Sequence, residues 1–465
     1  MTIERTAPER SPAPAVFVAA SAVLVWLAAA GPGFRDSGEI GAAAHRLGVP
    51  HPTGFPWDVL LLRAGGSLPL GSIALRQNAT VAVLSAAALA LLAHLVFRLS
   101  RRVGVDPTSA AAGGVVAAVG LGAWETFLRS ATAVEVYPGA LVLLAAGAVM
   151  ALERRAAVVA VALCFGLSFG AHVSARIGLG LVLVASWLAA DRDRRVRSLA
   201  PALGAAIAGA AIVAYLPLAS MHDPPVDWGD PQTLGRLWEH LTAERIRQAF
   251  AADMMSPGLE ARAAFGAQLG ELWPLGLCAA VGAFVLGRRV RGSALVVVLL
   301  LGLDVAYALL INPMGVADRQ VGHVAAAALC VLAGAGTAWL VGAAGATPGR
   351  RGGCGAPSAP LCLSAVLAVA CFLRAPRTML ADGHAASELL GSGGSLSMLP
   401  PRTVLVCSED DVCAQALFAL HAERVRPDMD VVPAQHLWEP TIRAPLASEL
   451  PSVAALGGAR PAQGD

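Results

Sequence analysis

Two carboxylates three residues apart, Asp36 and Glu39, stand in a short polar island, Phe34-Arg35-Asp36-Ser37-Gly38-Glu39, directly after the first apolar run. Behind them comes Val49-Pro50-His51-Pro52-Thr53-Gly54-Phe55-Pro56-Trp57. Prolines and glycine favour extended and turn geometry, so this stretch resists continuing a helix. Ionisable groups at the edge of a bilayer are costly and mark functional sites by default. A carboxylate held on a rigid loop can take a proton from a hydroxyl. The pattern therefore suggests chemistry on a lipid-linked or membrane-delivered substrate.

The elements that must position these residues are membrane helices. Of 465 residues, 56% are hydrophobic and 14% charged, against roughly 25% charged in soluble proteins. All 34 basic residues are arginine, the net charge is +2 and no long basic tract occurs, so nucleic acid is not an expected partner. Apolar runs lie near Ala15–Gly31, Leu75–Leu99, Ser109–Ala123, Gly139–Leu152, Ala156–Ala171 and Ile177–Ala190. Others lie near Leu199–Ser220, Leu272–Leu286, Ser293–Ile311, Val321–Ala344 and Leu361–Leu373. The expected fold is an all-α polytopic membrane bundle of about eleven helices. Arginine clusters at 98–102, 154–155, 192–197, 288–291 and 350–351 fall on alternate connections, which places them and the N-terminus in the cytoplasm. The first run then reads as a retained anchor, and loops 32–74, 124–138, 221–271 and 312–320 face outward.

Residues 1–374 read as the membrane domain and 375–465 as a small outer module. In the module, Thr403–Cys407 and Asp430–Pro433 read as strands flanking a helix over Ala414–Arg424, an α/β pattern. The end from Ala444 reads as disordered. Cys407 and Cys413 either form a disulfide or remain buried thiols. No zinc-type spacing occurs, and neither metal nor cofactor is expected.

Each candidate has a plainer role beside its chemical one. Asp36 with Glu39 is good helix-start grammar, a capping box before Ile40. Arg35 can anchor at headgroups, and His51 between prolines can be a loop residue. Glu135 before Tyr137 either caps the next helix or binds sugar. His172 and Arg176, in a short outer turn, either line the same cavity or anchor at the interface. Trp228 either stacks on a sugar or sits at the interface. Arg319, after Asn312-Pro313, is a candidate for a lipid phosphate and otherwise pairs with Asp318. Outer carboxylates also suit a transporter or flippase, but transporters place charges at mid-membrane and show repeats, and no repeat is visible here.

The first motif resembles a bacterial family of the GT-C superfamily of membrane glycosyltransferases, whose animal relative is a protein O-mannosyltransferase of the endoplasmic reticulum. The resemblance rests on Asp36-Ser37-Gly38-Glu39 with Leu47 through Pro56. Glu135-Val136-Tyr137, Pro225 through Pro231, and Arg402 through Val432 extend it. Thr53-Gly54-Phe55-Pro56 departs from the family's usual Pro-Gly-Tyr-Pro and loses a hydroxyl. The resemblance implies a GT-C-like bundle performing inverting transfer from a polyprenyl-phosphate sugar, mannose by analogy, to an extracytoplasmic protein or glycan acceptor. One carboxylate serves as base, Asp36 ahead of Glu39. The leaving phosphate is already a stable anion and needs no acid. Arg or His suffices to hold it, so no metal is demanded. An inner-membrane location with an exported C-terminal module follows from the same reading.

Overall fold

In lipid every backbone N–H and C=O must be satisfied within the chain, and apolar runs do so as helices. The computed structural model describes residues 11–33, 35–153, 157–249, 258–312, 314–317, 319–345, 394–408 and 410–434. The first part contains α1 (Ala13–Leu27), α2 (Ser37–Arg46), α3 (Pro56–Gly66), α4 (Ile73–Arg102), α5 (Pro107–Gly122), α6 (Glu125–Thr132) and α7 (Tyr137–Glu153). It continues with α8 (Ala157–Leu167), α9 (Val173–Ala189), α10 (Arg192–Ala210), α11 (Tyr215–Ser220), α12 (Leu234–Leu241) and α13 (Glu244–Ala249). Then come α14 (Leu259–Gly270), α15 (Gly276–Arg289), α16 (Arg291–Ala306), α17 (Met314–Ala317) and α18 (His323–Gly345). The C-terminal part holds β1 (Val404–Cys407), α19 (Asp410–His421) and β2 (Asp430–Pro433).

Among the described residues, four helical stretches are long and apolar enough to cross a membrane, and six if each of two bent pairs is one span. Four shorter apolar helices accompany them. The chain is a mostly helical, multi-pass membrane protein. The expected eleventh run, 361–373, and the module's expected disordered end lie outside the described residues. Two expected outlines change. The outer segment 124–138 is not a plain loop: α5 turns by 76° into α6. The arginines of 192–197 sit in the first turns of α10 instead of a connection. There Asp191 caps the helix by accepting from Arg194 N–H at 2.9 Å, which makes a helix start of a charged stretch.

The membrane core runs between α4, α5, α7, α15 and α18, with Leu89, Phe97, Leu121, Leu286 and Val331 buried together. Close backbone approach depends on small residues, as expected for helices packed in lipid. A Cβ on Gly113 of α5 would run into the Gly334 carbonyl of α18.

Above this core the outer segments fold onto each other. α2 ends where Leu47 takes a left-handed conformation at φ 55° and ψ 42°. Val49 then pairs with the long loop in a parallel bridge to Asp227. Its N–H donates to the Val226 carbonyl at 2.8 Å, and the Trp228 N–H returns to Val49 at 3.0 Å. Tyr215 adds a hydroxyl bond to the Gly48 carbonyl at 2.9 Å.

β1 and β2 pair in parallel, Val404 with Asp430 through Cys407 with Pro433. The connecting helix α19 starts at Asp410, earlier than the expected Ala414, because acidic residues favour a helix N-terminus. α19 lies on α2, and Leu417, Phe418 and Ala422 share a buried cluster with Ala42 and Ala43. The fit leaves no room for a side chain at Gly38, where a Cβ would strike the Ala414 carbonyl. A disulfide joins Cys407 to Cys413.

Candidate active site

Asp36 sits at the mouth of α2 but does not cap it: its backbone is helical, at φ −68° and ψ −10°, and its carboxylate makes no cap bond. The capping-box expectation for Asp36 and Glu39 is thereby overturned. The carboxylate points across the outer face instead. Its Oδ2 accepts from the Gln320 side-chain amide at 3.2 Å and lies 3.8 Å from His51 Nε2.

Glu39, one turn along α2, is 7% exposed. Both of its oxygens serve His51: Oε1 accepts the backbone N–H at 2.7 Å, and Oε2 faces Nδ1 at 3.1 Å. His51 thus bridges the two carboxylates, one ring nitrogen toward each. Burial opposes a charge on this imidazole, but Glu39, Asp36 and the more distant Glu135 outweigh it and push it up to about 10. His51 is therefore a fixed cation in the neutral range. Asp36, Glu39 and His51 offer donor atoms within 4.8 Å of one another, a spacing that could hold a metal ion.

Glu135 enters from the segment before α7. Burial raises its carboxyl to about 8, with the Asp36 charge adding to the effect, and the Val136 N–H, His51 and a Gln320 hydrogen bond pulling the other way. The shift favours its protonated form near neutral pH, beside the two acids that flank His51. Two residues after Glu135, Tyr137 is buried in a column of rings beneath. It stacks on His323 at 4.6 Å and 4° and tilts against His172 at 4.6 Å. His172 caps α9 and lies 6.5 Å from Phe55, which in turn meets His51 edge-on at 5.2 Å. Burial, then the charges of Arg176 and His51, lowers His172 to about 3, so it is neutral. It forms the floor of the site, not a cation for phosphate.

Trp228 reaches the site through the Val49 bridge, its ring 6.5 Å from that of His51. The turn behind it is tied by Ser220, whose hydroxyl donates to Asp227 at 2.7 Å and to Asp230 at 3.1 Å. Burial raises Asp227 to about 6, with Asp230 and Asp223 reinforcing that against the Ser220 hydroxyl and Arg236.

The remaining candidates stand apart from the carboxylates. Arg35 turns to the C-terminal module: its N–H donates to Asp411 at 2.6 Å and its guanidinium lies 4.0 Å from the same carboxylate. Arg176 lies over the Phe169 ring at 4.5 Å. Arg319 is held by Glu271 at 2.9 Å and Glu125 at 3.4 Å, and Asp318 lies outside the described residues. Its neighbour Gln320 is the residue that enters the site. A glutamine in a distant loop gives no signal in sequence.

What fold and geometry define is a polytopic membrane protein with a carboxylate–imidazole site assembled from the segments that connect its helices. Residues 36–197 match the family described as Protein O-mannosyl-transferase TMEM260 N-terminal domain. That segment contains Asp36, Glu39, His51, Glu135, Tyr137, His172 and Arg176, and the match bears out the resemblance to an O-mannosyltransferase-like family. The mouse (Mus musculus) Protein O-mannosyl-transferase TMEM260 is 44% identical over 84 residues, 18% of this chain. The match spans only 11% of that curated relative's length. Among solved structures, the Archaeoglobus fulgidus oligosaccharyltransferase tethered to an acceptor peptide containing the NVT sequon aligns over 94% of this chain and 68% of its own. Identity there is 12% and the TM-score 0.36, a likeness too slight to support a conclusion.

Proposed function

We propose that this protein is a GT-C-type membrane glycosyltransferase that moves a sugar, mannose first among candidates, from a polyprenyl-phosphate donor to an extracytoplasmic hydroxyl. The acceptor class is protein Ser/Thr, with a glycan hydroxyl as the other choice. The carrying observation is the convergence of Asp36, Glu39 and His51, inside the segment that matches the O-mannosyltransferase family, with an Asp36 oxygen left available. Asp36 takes the acceptor's proton as its oxygen attacks the anomeric carbon. The bond from that carbon to the phosphate oxygen breaks, and the electron pair leaves on the phosphate. Attack from the face opposite the phosphate inverts the anomeric centre. Protonated His51 provides the charge that meets the phosphate, Glu39 holds it there, and Trp228 offers an aromatic face to the sugar.

Lower in the bundle, a cavity lined by aliphatic side chains, among them Leu92, Leu121, Leu144, Leu300 and Val331, suits an isoprenoid tail. Its lining includes Val324, the residue next to His323 of the ring column. We place the protein in an inner membrane, with the N-terminus cytoplasmic and the module outside. A transporter is less favoured, because Asp36, Glu39, His51 and Glu135 converge in segments outside the long apolar helices.

The test is Asp36→Asn assayed with a mannosyl-phosphoryl polyprenol and a Ser/Thr peptide. Losing a positioned base costs about 10²–10⁴ in rate. Because Asp36 caps nothing, thermal stability stays near wild type. An active, folded variant removes Asp36 from the role of base.

A further inference from the structure

Gln320 lies 284 residues from Asp36, on the turn that follows α17. That turn is firmly built. Arg319 adopts a left-handed φ of 55°, and the Gln320 N–H returns to the Gly315 carbonyl at 2.7 Å. The Arg319 guanidinium is fastened to Glu271 and Glu125. Beside this fastened neighbour, Gln320 sends its amide over the first loop. There it donates to Asp36 Oδ2 at 3.2 Å, close enough to Glu135 to influence that acid as well.

A primary amide carries two hydrogens, so one nitrogen can serve two carboxyl groups. On Asp36 both neighbouring donors, Gln320 and His51, approach the same oxygen, Oδ2. Among the described residues Oδ1 has no hydrogen-bond partner. A neutral donor also stabilises a carboxylate without adding a cation that would compete for the donor's phosphate.

We propose that Gln320 is a positioning residue for the transfer reaction: it ties Asp36 through Oδ2, so that Asp36 presents Oδ1 to the incoming hydroxyl. This rests on Asp36 being the base, the reading given above. The groups facing the Asp36 carboxylate are His51, Glu39, Glu135 and Gln320, and of these Gln320 is the one whose amide donates to it.

Two variants of the full-length protein in detergent test it. Gln320→Met keeps the length of the side chain and removes the donor, and Gln320→Glu keeps the shape and replaces the donor with an acid. The first readout needs no substrate: labelling of Asp36 by a hydrophobic carbodiimide, which reacts with protonated carboxyls, followed against pH by peptide mass spectrometry. Loss of one hydrogen bond to a charged group moves the labelling midpoint of Asp36 up by about one to two pH units. The second readout is transfer from mannosyl-phosphoryl polyprenol. Its acidic limb moves by the same amount and kcat falls, while KM for the donor holds.

An unchanged Asp36 midpoint in either variant that melts like wild type overturns the proposal. If one variant fails to fold, the other decides. Wild-type protein that transfers no sugar, with the midpoint still moving in Gln320→Met, removes the glycosyltransferase reading and leaves the contact of Gln320 with Asp36 intact.

Discussion

Glu39→Gln isolates the electrostatics of the site with little change of shape. A glutamine oxygen still accepts the His51 backbone N–H, but the charge opposite Nδ1 is gone. That contact is one charge-assisted hydrogen bond, worth about 1.5–3 kcal/mol. At about 1.36 kcal/mol per unit, His51 falls by roughly one to two units from its position of about 10. The imidazole thus remains mostly protonated at neutral pH, and transfer at pH 7 drops only modestly. Above pH 8 the variant loses its cation where the wild type keeps it, so the alkaline limb of the rate profile moves inward by the same one to two units. The direct assay is the titration of the His51 resonance in protein labelled at histidine carbon. Stability carries the matching sign. A group raised in the folded state contributes fully below its unfolded value of 6.5 and loses that contribution as pH rises through about 10. The variant flattens this decline between 6.5 and 10. A His51 midpoint that stays put or rises in Glu39→Gln refutes the assignment of Glu39 as the holder of this charge.

Two further substitutions probe the C-terminal contact. Gly38→Ala forces a methyl into the Ala414 carbonyl, and overpacking of this kind costs about 1–3 kcal/mol; it lowers the melting temperature and, by moving α2, lowers transfer more than a surface control such as Arg402→Ala. Replacing Cys407 and Cys413 with serine opens a loop of sequence separation 6, worth roughly 2 kcal/mol on the chain-entropy estimate; reductant has the same effect on the wild type and none on the double variant.

Different parts of this structure were legible to different degrees. Asp36 and Glu39 stand out because charge is scarce in so apolar a chain, and His51 because prolines bracket it. Their grouping was visible, but their division of labour was not. Helix-start grammar suggested capping, whereas the helical backbone at Asp36 turns its carboxylate outward and leaves Glu39 to hold His51. The bend between α5 and α6 has no proline to announce it, since Ala123 and Trp124 are ordinary helical residues. Arg319 looked like the cation of its loop because a charge is conspicuous. Two glutamates from other segments occupy it, and only the folded turn shows that the quieter Gln320 is the one that reaches the acids. The strands of the C-terminal part were readable from Val404–Cys407 and Asp430–Pro433. The seat of α19 on α2 was not, because small residues such as Gly38 and Ala414 carry no pattern that names a partner.

The bond from Arg35 to Asp411 closes a separation of 376 residues. A ribosome therefore delivers the two halves of this contact far apart in time. Under the proposed topology, α2 waits outside the membrane with one face bare while every later span is inserted. Its cover arrives only after the C-terminal part has been exported and its cysteines oxidised. Until then α2 lacks the surface that packs against it, so under the proposed function a partly made chain has no finished site with which to meet a donor. The order of synthesis then delays activity until this contact can form.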